Sequence, residues 1–225
     1  YASSEPKHFS SNKNTPVTIK YPKDDEITNE QFNYIKNSFN AMEAKIYSSY
    51  YTDDSFGYIT ALDVSSFIKH FLVGEFSGNT DTYWSTYLSK DRGSLEKFKA
   101  AAVWDFDLAF ENDARTYPIN NLTTYMCMSS KASFAGDMRN FVSRVANTQT
   151  TTISKFWSEA RDHNGFTWEN MSAYVDSLVN VIDQSQQLNF IRWPILNQLV
   201  HQNFQALGSY QAEVDFMKNY IKERF

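Results

Sequence analysis

Acidic and amide side chains are concentrated in two short segments that could bind a metal ion or transfer protons. The segments are residues 74–81 and residues 104–107. Their candidate side chains are Glu75, Asn79 and Asp81 in the first segment and Asp105 and Asp107 in the second. Mg²⁺ prefers carboxylate and amide oxygens, and one or two acids from each segment suffice when water or phosphate supplies the other ligands. The two segments therefore predict a shared magnesium site.

Glu75 is predicted to point into the protein. It follows Ile68 by seven positions and Val64 by eleven, which places it on the apolar stripe of a predicted helix. Burial and the negative end of the helix both disfavour its charged form, so that it requires a cation, a metal ion or strong donors beside it. Two interpretations stay open: a general base in an active site, or a structural glutamate paired with arginine or lysine.

The other acids have structural explanations as well. Turn formation or helix capping alone would account for Asn79 and Asp81. Asp105 and Asp107 lie where a predicted strand ends, and in extended geometry they project to the same side. Two such carboxylates repel each other, and a divalent ion or a basic partner relieves that repulsion. The alternative is a strand-end pair in which one acid is solvated and the other caps the segment at Phe110.

The elements around the acids are mainly helical. Thr28 with Gln31 predicts a capping box, and Asp63 predicts a second helix that continues to about Glu75. Apolar residues at three-to-four spacing predict further helices. Their stripes are Phe134, Met138, Phe141 and Val145; Ile153, Phe156, Trp157 and Ala160; Trp168, Met171, Val175, Leu178 and Ile182; Tyr210, Val214, Met217 and Ile221. Trp157, Trp168 and Trp193 are expected to be core residues.

Strand signals are few. Residues 82–89 and 97–104 predict a β-hairpin with a turn at residues 90–93, and Val17 to Tyr21 predict an edge strand. We therefore predict an α+β fold that is mainly helical and has a small β-hairpin whose ends hold the acidic site.

Composition excludes several classes of function. The chain has 225 residues, of which 42% are hydrophobic, and its basic residues are scattered at a formal net charge of −5. Nucleic acid is therefore not expected as a partner. No window reaches the roughly 18 uninterrupted apolar residues of a membrane span. The single cysteine, Cys127, excludes an internal disulfide, and the four histidines lack the spacing of zinc ligands.

The order of the predicted elements is that of a protein-kinase catalytic centre: a helix, an acid-bearing loop, a hairpin, and an acid immediately after it. Longer stretches of sequence carry a family resemblance. They are residues 62–75 (LDVSSFIKHFLVGE), 78–81 (GNTD), 87–88 (YL) and 103–110 (VWDFDLAF). These stretches resemble the core of the CotH spore-coat kinase family. The match covers about residues 21–110, with weaker helical similarity at residues 140–144 and at Arg192-Trp193.

This resemblance implies a protein-kinase-like catalytic lobe that binds ATP with Mg²⁺ and phosphorylates serine or threonine in a protein. On that basis Asp105 corresponds to the metal-binding acid after the hairpin, and Asp81 to the metal-binding position of the catalytic loop. Asn79 joins Asp105 as a residue of the nucleotide site, and Asp107 is a third candidate metal ligand. The resemblance also implies secretion or display at a cell surface, with a protein substrate or a surface partner.

Two departures from the family pattern concern the base and the front of the chain. The family's aspartate base falls at Phe76, so its neighbour Glu75 is the candidate substitute. We expect residues 1–27 to form an extended arm, the remnant of an N-terminal lobe, and residues 28–225 to form the catalytic lobe, with the acidic site at residues 74–110. A kinase also holds its nucleotide with a strand lysine, and Lys20 is too peripheral for that role. We therefore expect the nucleotide-binding half to lie outside this chain.

Two other functions compete with the kinase. The first is a secreted or cell-surface interaction module that keeps the fold without turnover, which the departures at Phe76 and in the N-terminal arm favour. The second is a calcium-stabilised binding domain, for which the acids would have to form a closed cage of six to eight oxygen ligands.

Overall fold

Helices dominate the chain, as the sequence predicts. The structure is a computed structural model that describes residues 4–119, 125–129 and 136–225. Its helices are α1 (Asn29–Tyr47), α2 (Val64–Ser77), α3 (Gly136–Thr148), α4 (Thr150–His163), α5 (Trp168–Arg192) and α6 (Tyr210–Arg224). Its strands are β1 (His8–Ser10), β2 (Pro16–Thr18), β3 (Leu88–Ser89) and β4 (Lys99–Ala100). Short 3₁₀ helices cover Tyr58–Thr60, Thr80–Tyr83 and Met126–Met128. The predicted mainly helical α+β class is confirmed.

Polar side chains cap α1 and α2 at the predicted residues, and a third polar side chain caps α6. At α1, Thr28 accepts the Gln31 N–H at 3.2 Å, while the Gln31 side chain accepts the Thr28 N–H at 2.8 Å. At α2, the Asp63 carboxylate accepts the Ser66 N–H at 2.8 Å. The Ser209 hydroxyl accepts a backbone N–H in the first turn of α6. Each contact satisfies a donor that has no partner within its helix.

Helix α2 lies in the core and carries the first acidic segment at its C-terminal end. It packs against α4, α6 and β4. Its buried apolar side chains are Phe67, Ile68, Phe71 and Phe76, and burial of each contributes roughly 1.5 to 3 kcal/mol. The end of the helix, and with it the acidic segment, is therefore fixed relative to the core.

The predicted β-hairpin is present but shorter than expected. Strands β3 and β4 pair antiparallel, with Leu88 opposite Ala100 and Ser89 opposite Lys99. The expected strand at residues 82–89 is wrong in its first half, because Thr80–Tyr83 form a 3₁₀ helix. The expected strand at residues 97–104 stops at Ala100, so the second acidic segment follows the hairpin through a non-repetitive stretch.

The N-terminal segment forms a second hairpin. Strands β1 and β2 pair antiparallel, and Phe9 packs edge-on against Phe32 and Phe39 of α1 at centroid distances of 6.0 Å. The edge strand predicted at Val17 to Tyr21 overlaps β2 at Val17 and Thr18, and its second half is wrong because the strand ends at Thr18. The sequence did not predict β1, because its three residues are too few for a periodic signal.

Glu43 of α1 attaches this hairpin to the helical body. Its side chain is fully buried. One carboxylate oxygen accepts the hydroxyls of Ser11 and Thr15, both at 2.7 Å, and the other accepts the Lys13 N–H at 3.1 Å. A buried carboxylate is stable only when its oxygens receive such donors. Glu43 therefore fixes the turn between β1 and β2 against α1.

We expect Glu43→Gln to lower the free energy of unfolding by about 1 to 2 kcal/mol. The amide group can accept at one position only, so one of these donors loses its partner. Urea denaturation checks the value, with Glu30→Gln on the exposed side of α1 as the matched control. An equal, small effect of both substitutions would contradict the anchoring role of Glu43.

The C-terminal half differs from expectation in α5. Trp193, expected in the core, is 55% exposed, and Leu178 and Ile182 of the predicted stripe are also exposed. Trp157 and Trp168 pack against the core, as expected. Phe134, the first predicted apolar residue of α3, lies outside the described residues. None of the helices in the described part of the chain combines the length and apolar character that crossing a bilayer requires.

Candidate active site

Gly78 directs the chain from α2 into the first acidic loop. Its backbone is left-handed, with φ of 64°, a conformation that side chains disfavour. A Cβ atom there would also collide with the Tyr220 hydroxyl. Glycine therefore lets α6 pack directly over the turn that leads to Asn79 and Asp81.

Asp81 and Asp105 lie on either side of one hydroxyl group. The Ser85 hydroxyl is 2.7 Å from Oδ2 of Asp81 and 3.1 Å from Oδ2 of Asp105. A hydroxyl carries one proton, so it can donate to only one of these oxygens at a time. The structure thus brings the two predicted segments together, within the span that one hydrated divalent ion can bridge.

The electrostatics of Asp81 favour a cation beside it. Burial raises the pKa of Asp81, and the negative charges of Asp105 and Asp107 raise this pKa further. The hydrogen bond from Ser85 and the positive charge of Arg115 act in the opposite direction. A divalent ion between the carboxylates would offset the same repulsion.

Asn79 fixes the position of Asp105. The Asn79 side chain is fully buried and donates through Nδ2 to the Asp105 carbonyl oxygen at 3.1 Å. Asp105 itself is left-handed, with φ of 66°, so the expected extended geometry that would place Asp105 and Asp107 on one side is wrong here. The other amide atom of Asn79, Oδ1, is buried and has no hydrogen-bond partner in the described part of the chain.

The carboxylate and amide oxygens at this site are of the kind that Mg²⁺ prefers as ligands. The Asp81 and Asp105 carboxylates are hard oxygen ligands close together, and the unpartnered Asn79 oxygen belongs to the residue that holds Asp105. No group of three or more acidic, histidine or cysteine side chains within residues 4–119, 125–129 and 136–225 is arranged to hold a metal ion. Asp107 acts on Asp81 through its charge, and its role as a ligand stays a prediction. Two carboxylates suit an open magnesium site better than a closed calcium cage.

Glu75 is buried, as its place on the helix stripe predicts, and its oxygens are occupied. Oε1 accepts the Tyr83 hydroxyl at 2.6 Å and the Cys127 N–H at 3.1 Å, and Oε2 accepts the Met126 N–H at 2.5 Å. None of these contacts involves Asp81 or Asp105. A base must offer a lone pair to the substrate hydroxyl, so this arrangement favours a structural role for Glu75. The expected ion pair with arginine or lysine is replaced by hydrogen bonds from a tyrosine and from two backbone N–H groups, with the charge of Arg224 as a smaller contribution.

The position of Phe76 supports the same interpretation. Its ring packs against Trp157, Phe166 and Phe225 at centroid distances of 6.1, 4.8 and 5.2 Å. At the place where the resemblance predicts a catalytic aspartate, the chain has a core aromatic residue. Neither Glu75 nor Phe76 therefore reaches the acid pair as a base.

Glu75 should make stability depend on pH. Burial raises the pKa of Glu75 above its usual range. Because the folded pKa lies above the unfolded value of about 4.3, the contribution of this group to stability is full below that value and is lost as pH rises through the folded pKa.

We expect Glu75→Gln, which cannot ionise, to remove this loss. Urea denaturation between pH 4 and pH 8 should show wild type losing stability relative to the variant as pH rises, while Glu159→Gln, at a half-exposed side chain of α4, follows wild type. Parallel curves for wild type and Glu75→Gln would show that Glu75 is not the titrating group.

Sequence reasoning missed two features of this site. The first is Ser85, which is one of many hydroxyl residues in its segment and carries no distinguishing signal. The second is the pair formed by Asp113 and Arg115. Its only signal was an acid and an arginine two positions apart, in a polar segment without periodicity. Lys20, judged too peripheral to hold a nucleotide, pairs with Glu5 at 3.1 Å, with both side chains about half exposed.

Comparison with known proteins gives one match. The family model described as CotH kinase protein matches residues 2–225. Searches of the curated proteins and of the solved structures gave no significant match. The matched range thus includes the acid pair, the hairpin of β3 and β4, and the helices α1 to α6 of the described residues.

Proposed function

The chain belongs to the CotH kinase protein family, and from this membership we propose that it transfers the γ-phosphoryl group of ATP to serine or threonine of a protein, with Mg²⁺. The observation that carries the proposal is the convergence of Asp81 and Asp105 on Ser85. Kinases place a loop acid and a post-hairpin acid together in the same order.

In the proposed reaction, Asp105 and Asp81 would hold the cation. When bound, Mg²⁺ would neutralise phosphate oxygens and polarise the transferred group. Ser85 lies between the two carboxylates and can donate to either one, and Asn79 fixes the backbone of Asp105. These residues supply positioning and charge, which dominate phosphoryl transfer.

We propose Asp81 for a second role, that of accepting the proton of the acceptor hydroxyl. It lies beside Asp105 at the Ser85 hydroxyl and is only partly buried, so that a substrate hydroxyl can reach it. Glu75 was the earlier candidate, but its oxygens already accept three hydrogen bonds. The proposal is therefore supported by the difference in access: a substrate hydroxyl can reach the Asp81 carboxylate near the surface, whereas the Glu75 carboxylate is buried.

A non-catalytic interaction module is the second candidate function. The specific observation in its favour is the packing of Phe76 among aromatic residues at the family's base position. Such a protein would keep the fold, and even the metal, without turnover. Secretion or display at a cell surface is proposed for either function, with the family resemblance as its support.

Magnesium-dependent nucleotide binding and transfer test the proposal. Calorimetry with a non-hydrolysable ATP analogue, and label transfer from ATP to a degenerate serine and threonine peptide library, should both require Mg²⁺ and be lost with chelator. Binding without transfer would favour the interaction module. Failure of both assays, with thermal stabilisation by Ca²⁺ alone, would favour the calcium-binding domain.

A further inference from the structure

Arg115 is held in a fixed orientation by a buried acid. Its Nε lies 2.9 Å from Oδ1 of Asp113 and its Nη2 lies 2.8 Å from Oδ2, a two-point contact that fixes the guanidinium plane. The Asp113 side chain is 1% exposed, whereas that of Arg115 is 38% exposed. The guanidinium is therefore anchored from within the protein and still reaches the surface.

Asp113 also connects Arg115 to the acid pair. The Thr80 hydroxyl donates to Oδ2 of Asp113 at 3.3 Å, and Thr80 immediately precedes Asp81. The Arg115 N–H donates to Oδ1 of Asp113 at 3.0 Å, which fixes the backbone as well as the side chain. The charge of Arg115 acts on Asp81. The positive charge of Arg115 thus contributes to the electrostatic potential at the candidate metal site.

The carboxylates of this site would repel a polyphosphate, because both are negatively charged. Asp81, Asp105 and Asp107 make the local field negative, and one divalent ion does no more than balance two carboxylates. An anionic ligand with several phosphates therefore requires a further fixed cation. Arginine suits this purpose because its planar fork matches phosphate oxygens and it stays charged at all relevant pH values.

We infer that Arg115 binds phosphate oxygens of the nucleotide at the acid pair, and that Asp113 is the positioning residue that directs the guanidinium there. This inference rests on the proposed function, since it assigns a residue to the same nucleotide. The structural alternative is that Arg115 only neutralises buried Asp113. The two explanations differ in what Arg115→Met changes: the alternative alters stability alone, whereas the inferred role also alters phosphate affinity.

Four variants separate these explanations. Arg115→Lys keeps the charge without the fork. Arg115→Met removes the charge, and Arg115→Met with Asp113→Asn removes the whole ion pair, so that no buried carboxylate is left unpaired. Arg161→Met, on the exposed end of α4, is the matched control for loss of an arginine.

The probes are Mg²⁺ with inorganic tripolyphosphate, Mg²⁺ with a non-hydrolysable ATP analogue, and adenosine, each measured by calorimetry alongside thermal melting. We expect Arg115→Met to weaken tripolyphosphate and analogue binding about 10-fold or more, because it removes charge-assisted hydrogen bonds. Adenosine binding should not change. Arg115→Lys should lie between wild type and Arg115→Met, and Arg161→Met should match wild type.

The double variant is the decisive measurement. If Arg115 binds phosphate, this variant should melt near wild type and still bind tripolyphosphate weakly. Wild-type affinity in a folded double variant overturns the inference and leaves the proposed kinase function standing. If wild type binds neither tripolyphosphate nor the analogue, the inference fails, and the proposed function fails with it for residues 1–225. Tripolyphosphate binding through Arg115 without any phosphoryl transfer would sink the kinase and keep the phosphate site.

Discussion

Asp105→Asn should reduce phosphoryl transfer at least about 100-fold while leaving the fold intact. Asparagine matches aspartate in shape but lacks the charge that would hold Mg²⁺ against the phosphates. Its backbone should tolerate the change, because asparagine also adopts left-handed φ values such as the 66° of Asp105. The carbonyl that accepts from Asn79 is present in either residue. The loss should therefore appear in activity and not in stability.

Label transfer and thermal melting of wild type and Asp105→Asn, both with Mg²⁺, test this expectation. The matched control is Asp91→Asn, an exposed acid whose contact to Lys99 is 3.9 Å long, and which should keep full activity. Near-normal transfer by Asp105→Asn, from an active wild type, would exclude Asp105 as a metal ligand. A large drop in melting temperature would instead assign Asp105 a structural role.

Glu75→Ala should lower the free energy of unfolding by about 3 to 5 kcal/mol. The substitution leaves the Tyr83 hydroxyl and the backbone N–H groups of Met126 and Cys127 buried without their acceptor. Each unsatisfied buried group costs about 1 to 3 kcal/mol, and the cavity adds to that cost. The expected loss is a large fraction of a typical domain's stability.

Chemical denaturation measures this effect, with Glu159→Ala as the control. The Glu159 side chain of α4 is 45% exposed and its contact to Lys155 is 3.8 Å long, so its removal should cost less than about 1 kcal/mol. The opposite pattern would revive the catalytic assignment of Glu75: a stable Glu75→Ala protein whose transfer rate falls by about 100-fold or more.

Local chemistry explains why much of the helical framework could be predicted. The caps Thr28 and Asp63 act on donors within three residues, so their effect is visible in the sequence itself. The burial of Glu75 followed from helical periodicity, which needs no knowledge of the rest of the fold. The kinase-like order of helix, acid-bearing loop, hairpin and acid could be predicted as well, because each of these elements has a local sequence pattern.

The details of the site depend on contacts between distant residues. Asp105 leaves the extended conformation where Asn79, 26 residues away, binds its carbonyl. The partners of Glu75 include backbone groups 51 and 52 residues later, which no side-chain pattern encodes. Trp193 is exposed although its sequence context resembles that of a core residue. Helix periodicity shows which residues share a face, but not whether another element covers that face.

The packing of α6 on the end of α2 sets an order for completing the site during synthesis. Arg224 donates to the Glu75 carbonyl at 2.8 Å across 149 positions of sequence, and Tyr220 lies against Gly78. At about 5 to 20 residues per second, a ribosome needs roughly 7 to 30 seconds to add that stretch. Until then the nascent chain carries its acidic loop without the helix that covers it. Chaperones that bind nascent chains would meet the exposed end of α2 during this interval.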